Sequence, residues 1–510
     1  MTLRLFRRIS QLAFFFFFLY LFFATRFPYE TGLPSDLFLR ASPLLAVGTI
    51  LASKTIILSM LVALGVLLLT IPLGRVFCGW ICPLGTVIDA NDKWVHRKRA
   101  NSRARESLRF RSWKFILLVF LLVSALFSTQ FLGFFDPIAL FTRTMSLVIY
   151  PVFVYLSNGV FNFLFDHAIF EDQVYSLYDF AQFTVLPIQN PVLLQTILIA
   201  LIFVGVLSLS MLSRRFWCRN LCPLGALLGI FSKYRLVKRH VNESCTSCSL
   251  CQKGCRMNAI EDDYTLNSSA ECIQCGECAT VCKPHSVSYR FGRHTGKSKI
   301  DLSRRRLLQA VGGGIAGLAL VKASSVHGYH AGNAIRPPGA LPEDEFLDRC
   351  IRCQQCVKIC ASTGGCLQPA LMETGWEGIW SPIAVPVLGY CEYNCNLCGQ
   401  VCPTGAIQNL ALERKKELRM GTAYFDKSRC IPWYQHNDCL VCEEHCPVPE
   451  KAIQFDVRQI QAIDGETRVV KFPYVVEERC IGCGICETKC PIVGKKGIFV
   501  TPANEQRLVV

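Results

Sequence analysis

Twenty-eight of the 29 cysteines in this 510-residue chain fall into spaced sets. The first quartet is Cys245, Cys248, Cys251 and Cys255; the second is Cys272, Cys275, Cys278 and Cys282. Both have the C-x2-C-x2-C-x3-C spacing of bacterial ferredoxins. Three thiolates on one tight loop can cap three irons of a [4Fe-4S] cube, and the partner motif supplies the fourth ligand. Cys282 is therefore expected to complete the first cluster and Cys255 the second. Arg256 and Lys283 stand where a proline usually follows the fourth cysteine. That weakens the turn argument but not the ligand count.

Four further quartets follow. They are Cys350, Cys353, Cys356 and Cys360; Cys391, Cys395, Cys398 and Cys402; Cys430, Cys439, Cys442 and Cys446; and Cys480, Cys483, Cys486 and Cys490. Proline follows the last cysteine in three of them (Pro403, Pro447, Pro491), and Ala361 in the other. Six [4Fe-4S] clusters are expected. Zinc sets usually come as separated cysteine pairs and often include histidine. Disulfides between cysteines so close in sequence staple little. Cys366 is left over, either as a free thiol or as a replacement for Cys360.

A different pair of motifs is RVFCGWICPLG at Arg75–Gly85 and RFWCRNLCPLG at Arg215–Gly225. An internal repeat of this kind brings matching helix pairs about a pseudo-twofold axis. Cys78, Cys82, Cys218 and Cys222 would meet there. Four soft thiolates can hold a metal, with a seventh iron–sulphur centre favoured among metals. They can also act as two redox dithiols or pack as structural thiols.

These motifs need elements to hold them. Hydrophobic residues make up 51% of the chain and the mean hydropathy is +0.33, which points to a membrane protein. Apolar runs predict spans at 11–25, 44–72, 113–132 and 191–212, each near the ~20 residues that cross a hydrocarbon core. Arg4, Arg7 and Arg8 precede the first span, so the N-terminus is expected to be cytoplasmic. The net charge of +16 does not require nucleic acid. Much of it lies between Lys93 and Lys114, where a cytoplasmic loop gathers Lys and Arg. Acidic residues dominate the loop from Gly133 to Asn190, which is expected outside. Residues 145–165 are read as an interfacial or half-buried helix. The stretch 304–322 begins with Arg304, Arg305 and Arg306 and resembles a twin-arginine export signal; it is read as a fifth, connecting span. In it Gly313 and Gly317 are spaced for helix packing.

The fold class expected is a membrane α-helical bundle of four spans plus a fifth, joined to α+β ferredoxin-type domains. The units are a membrane module (1–231), a cytoplasmic two-cluster domain (232–300), a crossing (301–325) and a periplasmic four-cluster domain (326–510). A β-type run is expected at Arg468–Val476. None of the nine histidines lies in a predicted span, so no haem is expected within the bundle. No nicotinamide fingerprint is present either. Electrons would enter from a membrane quinol. Asp136 and Arg143, an acid and a base at the membrane edge, are the candidates for handling it; a solvated loop start is the other reading.

Residues 1–300 resemble the polytopic iron–sulphur membrane subunit of the periplasmic nitrate reductase system. That family also includes the nitrous-oxide-reductase-associated membrane protein and the cytochrome oxidase assembly ferredoxin. The two C-x3-C-P motifs and the ferredoxin pair carry this resemblance. Residues 303–510 resemble the exported four-cluster partner of the same system, through SRRRLL, Arg336-Pro337-Pro338-Gly339-Ala340, GWEGIWSP and YCEYNCNLCGQVCPTGAI. In the family these are usually separate proteins; here they look fused. The four-motif part also resembles the four-cluster subunits of molybdenum oxidoreductases, whose first motif pairs with the fourth and second with the third. By that resemblance Cys490 would serve the cluster of Cys350, Cys353 and Cys356. The family implies quinol oxidation at the inner membrane and delivery to a periplasmic reductase or cytochrome within a complex of other subunits. The alternatives are an assembly factor that reduces copper for a partner enzyme, and flow from a periplasmic donor to quinone.

Overall fold

The computed structural model describes residues 3–27, 33–95, 110–167, 170–187, 190–292, 304–326, 334–461 and 467–508. Most of the basic run between Lys93 and Lys114, and Ser303 at the start of the export-type stretch, lie outside these residues.

The N-terminal helix Leu3–Ala24 is rich in Phe and Leu and has 22 residues. At 1.5 Å per residue it is about 33 Å long. Its two ends meet different cysteine-rich segments. At the start, Arg4 and Arg7 pair with Glu277, and Arg7 and Gln11 bond Asp89. At the far end, Lys358 Nζ donates to the carbonyls of Phe22 (2.7 Å) and Thr25. The two-cluster and four-cluster segments therefore sit at opposite ends of one helix.

The span count needs correction. Among the described residues, two helices are long and apolar enough to cross a membrane, Leu3–Ala24 and Pro137–Asp166. The second contains the stretch read as interfacial. Its continuity has a local cause: Pro151 lacks an amide to donate, and the π-turn Met145–Ile149 just before it absorbs the lost helical bond. The other expected spans are shorter. The 44–72 run breaks into Pro43–Ser53 and Leu58–Leu73 at Lys54, whose φ is +54°. Trp113–Leu126 stops before Ser128 (φ +58°), and the helix from Thr196 starts only after Gln195 (φ +63°). Such left-handed residues end helices and leave no trace in a hydropathy window. Arg304–Val326 is helical, but only Leu307–Gly317 is apolar. It packs on Trp113–Leu126 through Gly314 and Gly317, which face Val123 and Phe120; Gly313 meets nothing within 4 Å.

The two-cluster segment is closed by antiparallel strands Val237–Val241 and Val287–Phe291. It lies hard against the bundle: a Cβ on Gly79 would come within 2.9 Å of the Ile273 carbonyl, and one on Gly229 within 2.9 Å of the Ala270 carbonyl. Buried Glu271 anchors it, accepting from Arg75 Nη1 (3.1 Å) and Lys114 Nζ (2.5 Å).

The four-cluster segment has two halves. Strands Leu367–Pro369 and Pro382–Ala384 pair between its first two motifs. Strands Thr422–Phe425 and Ile498–Thr501 bracket the last two. The expected β-run is the strand Thr467–Val475, in a hairpin with Ile453–Gln461.

Candidate functional site

Local sequence forms each cysteine loop. In the four motifs with two residues between the first and second cysteine, the residues flanking the second are left-handed. They are Ser247 and Ser249, Gln274 and Gly276, Arg352 and Gln354, and Gly482 and Gly484. Successive amides turned this way form a concave nest that favours anionic groups. A short helix then carries the third cysteine, as in Leu250–Gly254, Glu277–Thr280, Gln355–Cys360 and Ile485–Lys489.

Four enclosed cavities in the C-terminal segment are each lined by three cysteines of one motif and the last cysteine of another. Cys350, Cys353 and Cys356 share theirs with Cys402. Cys391, Cys395 and Cys398 share theirs with Cys360, and Cys366 lines it too. Cys430, Cys439 and Cys442 share theirs with Cys490. Cys480, Cys483 and Cys486 share theirs with Cys446. Adjacent motifs are thus paired, first with second and third with fourth. This corrects the pairing that the resemblance implied, since Cys402 and not Cys490 joins Cys350, Cys353 and Cys356. The strand pairs agree with it: one lies between the first two motifs and the other brackets the last two.

In the two-cluster segment the neighbours of Cys255 agree with the expected exchange. Cys255 lies beside Cys272, Cys275 and Cys278, and Cys282 packs in one apolar cluster with Cys251. Among the described residues, no three His, Cys, Asp or Glu side chains converge tightly enough to grip a single ion. The thiols of the C-terminal segment ring voids instead, which fits a cluster and not a lone zinc.

Burial pushes Cys395 up to about 11, and Cys442 and Cys483 up to about 12. Thiolates at these positions would need a cation beside them, which the iron of a cluster would supply. Lys415 stands by the second cavity. Burial lowers its pKa, but Cys391, Cys395 and Cys398 outweigh burial and raise it.

The cavities form a series. The first is part of the bundle's own core, because Ile351 and Cys353 pack among the helices. The second meets the cavity of Cys480, Cys483 and Cys486 where the Cys391 N–H donates to the Cys483 carbonyl at 2.8 Å. That cavity shares the last half with the one around Cys430.

The repeated C-x3-C-P motifs fold alike. Each is a π-turn, Phe77–Ile81 or Trp217–Leu221, followed by an extended cysteine and a proline-started helix. Cys78, Cys82, Cys218 and Cys222 are mutual neighbours. The flanking arginines cross over: Arg215 donates to the Cys78 and Gly85 carbonyls (3.2 and 3.1 Å), while Arg75 lies against Gly225. Cys78 and Cys218 pack with Cys255, Cys272 and Cys275 around Ile273, so the repeat adjoins the Cys272 loop. Asp89 is the hub beneath. It accepts from Arg215 Nε (2.6 Å) and pairs with Arg7 (3.1 Å) and Arg256 (3.0 Å). Burial raises its pKa, but Arg215, Arg256 and Arg7 overcome this and hold the carboxyl well below the usual range.

Asp136 and Arg143 are both buried, and they bond different partners. Asp136 caps the helix Pro137–Thr144, accepting from Ile138 N (2.9 Å), Ala139 N (3.0 Å) and Ser42 Oγ (2.7 Å). Arg143 donates to the carbonyls of Gly133, Phe134 and Arg352 and lies 4.4 Å from the Trp380 ring. It ties the first cysteine loop to the bundle, as does Arg352, which donates to the Gln130 carbonyl. The sequence reading missed Arg352, Lys358, Asp89 and Glu271. A usable signal existed for the acids, since Arg75 and Arg215 recur beside apolar spans and each needs a partner.

The 4Fe-4S binding domain family matches residues 55–102, 195–242 and 398–420, so both C-x3-C-P copies fall in matches to one family. A second 4Fe-4S binding domain matches residues 473–493. The chain is 35% identical over 193 residues to the methylamine utilization ferredoxin-type protein MauM of Methylorubrum extorquens, covering 37% of this chain and 81% of that protein. It is 32% identical over 213 residues to the ferredoxin-type protein NapG of Escherichia coli, covering 41% of this chain and 89% of that protein. An uncharacterized protein of Methanocaldococcus jannaschii, MJ0750, is 29% identical over 230 residues, covering 44% and 76%. No solved structure matches.

Proposed function

We propose that this chain, which belongs to the MauM and NapG family of ferredoxin-type proteins, is a membrane-bound electron-transfer protein that takes electrons from a membrane quinol and delivers them to a periplasmic reductase or cytochrome. The observation that carries this reading is the series of four cysteine-lined cavities, the first built into the apolar bundle and the others leading away from it.

Six [4Fe-4S] clusters would be held by the sets described, with Cys402, Cys360, Cys490, Cys446, Cys255 and Cys282 as the fourth ligands. When bound, each cluster supplies a one-electron carrier. The residues do the rest. Arg143, Arg352 and Lys358 fix the first loop on the bundle. Asp136 holds the turn they rest on, and with Arg143 marks the edge where a quinol would approach. Apolar side chains such as Leu64, Leu68, Phe153 and Leu156 face outward, which suits a lipid surrounding. The C-x3-C-P quartet would hold a seventh centre beside the Cys272 loop; the double family match supports it.

In this reading the N-terminus and the two-cluster segment face the cytoplasm and the four-cluster segment the periplasm. The stretch 304–326 acts as an export-type crossing, and the chain joins a membrane subunit to its exported partner. Other subunits complete the complex. The test is anaerobic bleaching of the purified protein's iron–sulphur absorbance by a reduced quinol analogue, with iron quantified alongside. Bleaching with six or seven clusters' worth of iron supports the reading. Bleaching by a low-potential donor alone would move the reading to copper reduction during assembly, or to flow toward quinone.

A further inference from the structure

The cavity of Cys391, Cys395 and Cys398 is lined by five thiols, where a cubane takes four. The surplus one is Cys366. Its Sγ lies 3.9 Å from Cys360 Sγ, and it is fully buried. The chain between them turns back on itself: Gly365, at φ +70°, donates its N–H to the Cys360 carbonyl. Gly364 allows this, because a Cβ there would overlap the Tyr390 carbonyl.

A second, independent observation concerns Cys360. In the other five motifs the last cysteine lies outside any helix, and Cys255 has an extended backbone. Cys360 is instead the final residue of the helix Gln355–Cys360, which is capped at Ala361. Pro403, Pro447 and Pro491 follow the corresponding cysteines of the other C-terminal motifs, and proline disfavours helical backbone in the residue before it. Ala361 imposes no such limit. The ordinary fourth-ligand geometry is therefore altered in the one motif that has a second thiol beside it.

We propose that Cys366 and Cys360 are interchangeable fourth ligands of the cluster held by Cys391, Cys395 and Cys398. The inference rests on the reading that the cavity holds a cluster. Buried free cysteine otherwise packs as a small apolar side chain. A merely packed Cys366 would not need to line the same void as four ligands.

The test uses the full chain, purified anaerobically in detergent. Iron and acid-labile sulphide per chain are measured for wild type, Cys360→Ala, Cys366→Ala and the double variant, with electron paramagnetic resonance after dithionite reduction. Each single variant should keep wild-type iron. The double variant should lose about four irons per chain and one cluster's signal. The proposal is overturned if either single variant loses as much as the double, or if the double loses nothing. Should the wild type itself hold no iron, it is the cluster reading that falls. Where the double variant does not fold, a loss of about four irons in Cys360→Ala alone still overturns the proposal. The resonance line shape gives a further readout, because exchange of ligand at the fourth iron should alter it in Cys360→Ala while the iron count stays constant.

Discussion

The main-chain N–H of Cys391 donates to the carbonyl of Cys483 at 2.8 Å, so the two halves of the C-terminal domain meet at their cysteine loops. One loop belongs to the half seated on the bundle and the other to the half beyond it. The order of cavities follows from this contact.

Iron bookkeeping on double variants checks the pairing. Cys350 and Cys402 line one cavity, whereas Cys350 and Cys490 line two. Cys350→Ala with Cys402→Ala should remove about four irons per chain, and Cys350→Ala with Cys490→Ala about eight. The reverse result would restore the pairing of first motif with fourth.

Gly133 is where the bundle meets the first cysteine loop, and a Cβ there would overlap the Ile351 carbonyl. Gly133→Ala should weaken this docking by about 1–3 kcal/mol through overpacking. Hydrogen exchange should rise around residues 350–360 and reduction by a quinol analogue should slow, while the iron content stays at wild type. Unchanged exchange would show that this contact does not hold the domain.

Asp89 compensates buried Arg7, Arg215 and Arg256. Asp89→Ala removes the carboxylate that buried Arg215 bonds and leaves Arg7 and Arg256 to Glu277 alone; it should destabilise this end of the bundle by about 3–5 kcal/mol, read as a lower thermal midpoint. The pH dependence has a definite sign. The folded-state pKa is depressed, so the contribution is present above the unfolded value and is lost only as pH falls through the folded one. The difference between wild type and Asp89→Ala should therefore persist at about pH 5.

Cys82 and Cys222 hold equivalent places in the repeated motif, each extended and followed by a proline-started helix. Cys82→Ala and Cys222→Ala should therefore behave alike. If the quartet holds a seventh cluster, each should remove about four irons per chain and leave the others. Unchanged iron in both variants would leave the quartet as dithiols or packed thiols.

Much of the chemistry was legible in the sequence. The C-x2-C-x2-C spacing foretold the three lining thiols of the Cys350 and Cys480 sets, and the repeat of RVFCGWICPLG as RFWCRNLCPLG foretold that Cys78 and Cys218 come together. The place of Cys255 beside Cys272, Cys275 and Cys278 was legible too, because only two motifs are present in that segment. With four motifs that argument loses its force. The span at 44–72 failed for a different reason: a count of apolar residues is blind to the left-handed turn at Lys54.

The sequence by itself determined everything set within one loop: the tight cysteine motifs, the nests in the four with C-x2-C-x2-C spacing and the two matched π-turns. Spacing of a few residues fixes such features, since the chain's reach over that distance leaves few alternatives. Tertiary structure alone decided which thiol completes each set, which helices have the length to cross a membrane, and that Arg352 and Lys358 lock the first cysteine loop to the bundle. Those contacts join residues from 222 to 336 positions apart. Only packing and the pairing of short strands can choose among partners so far apart along the chain.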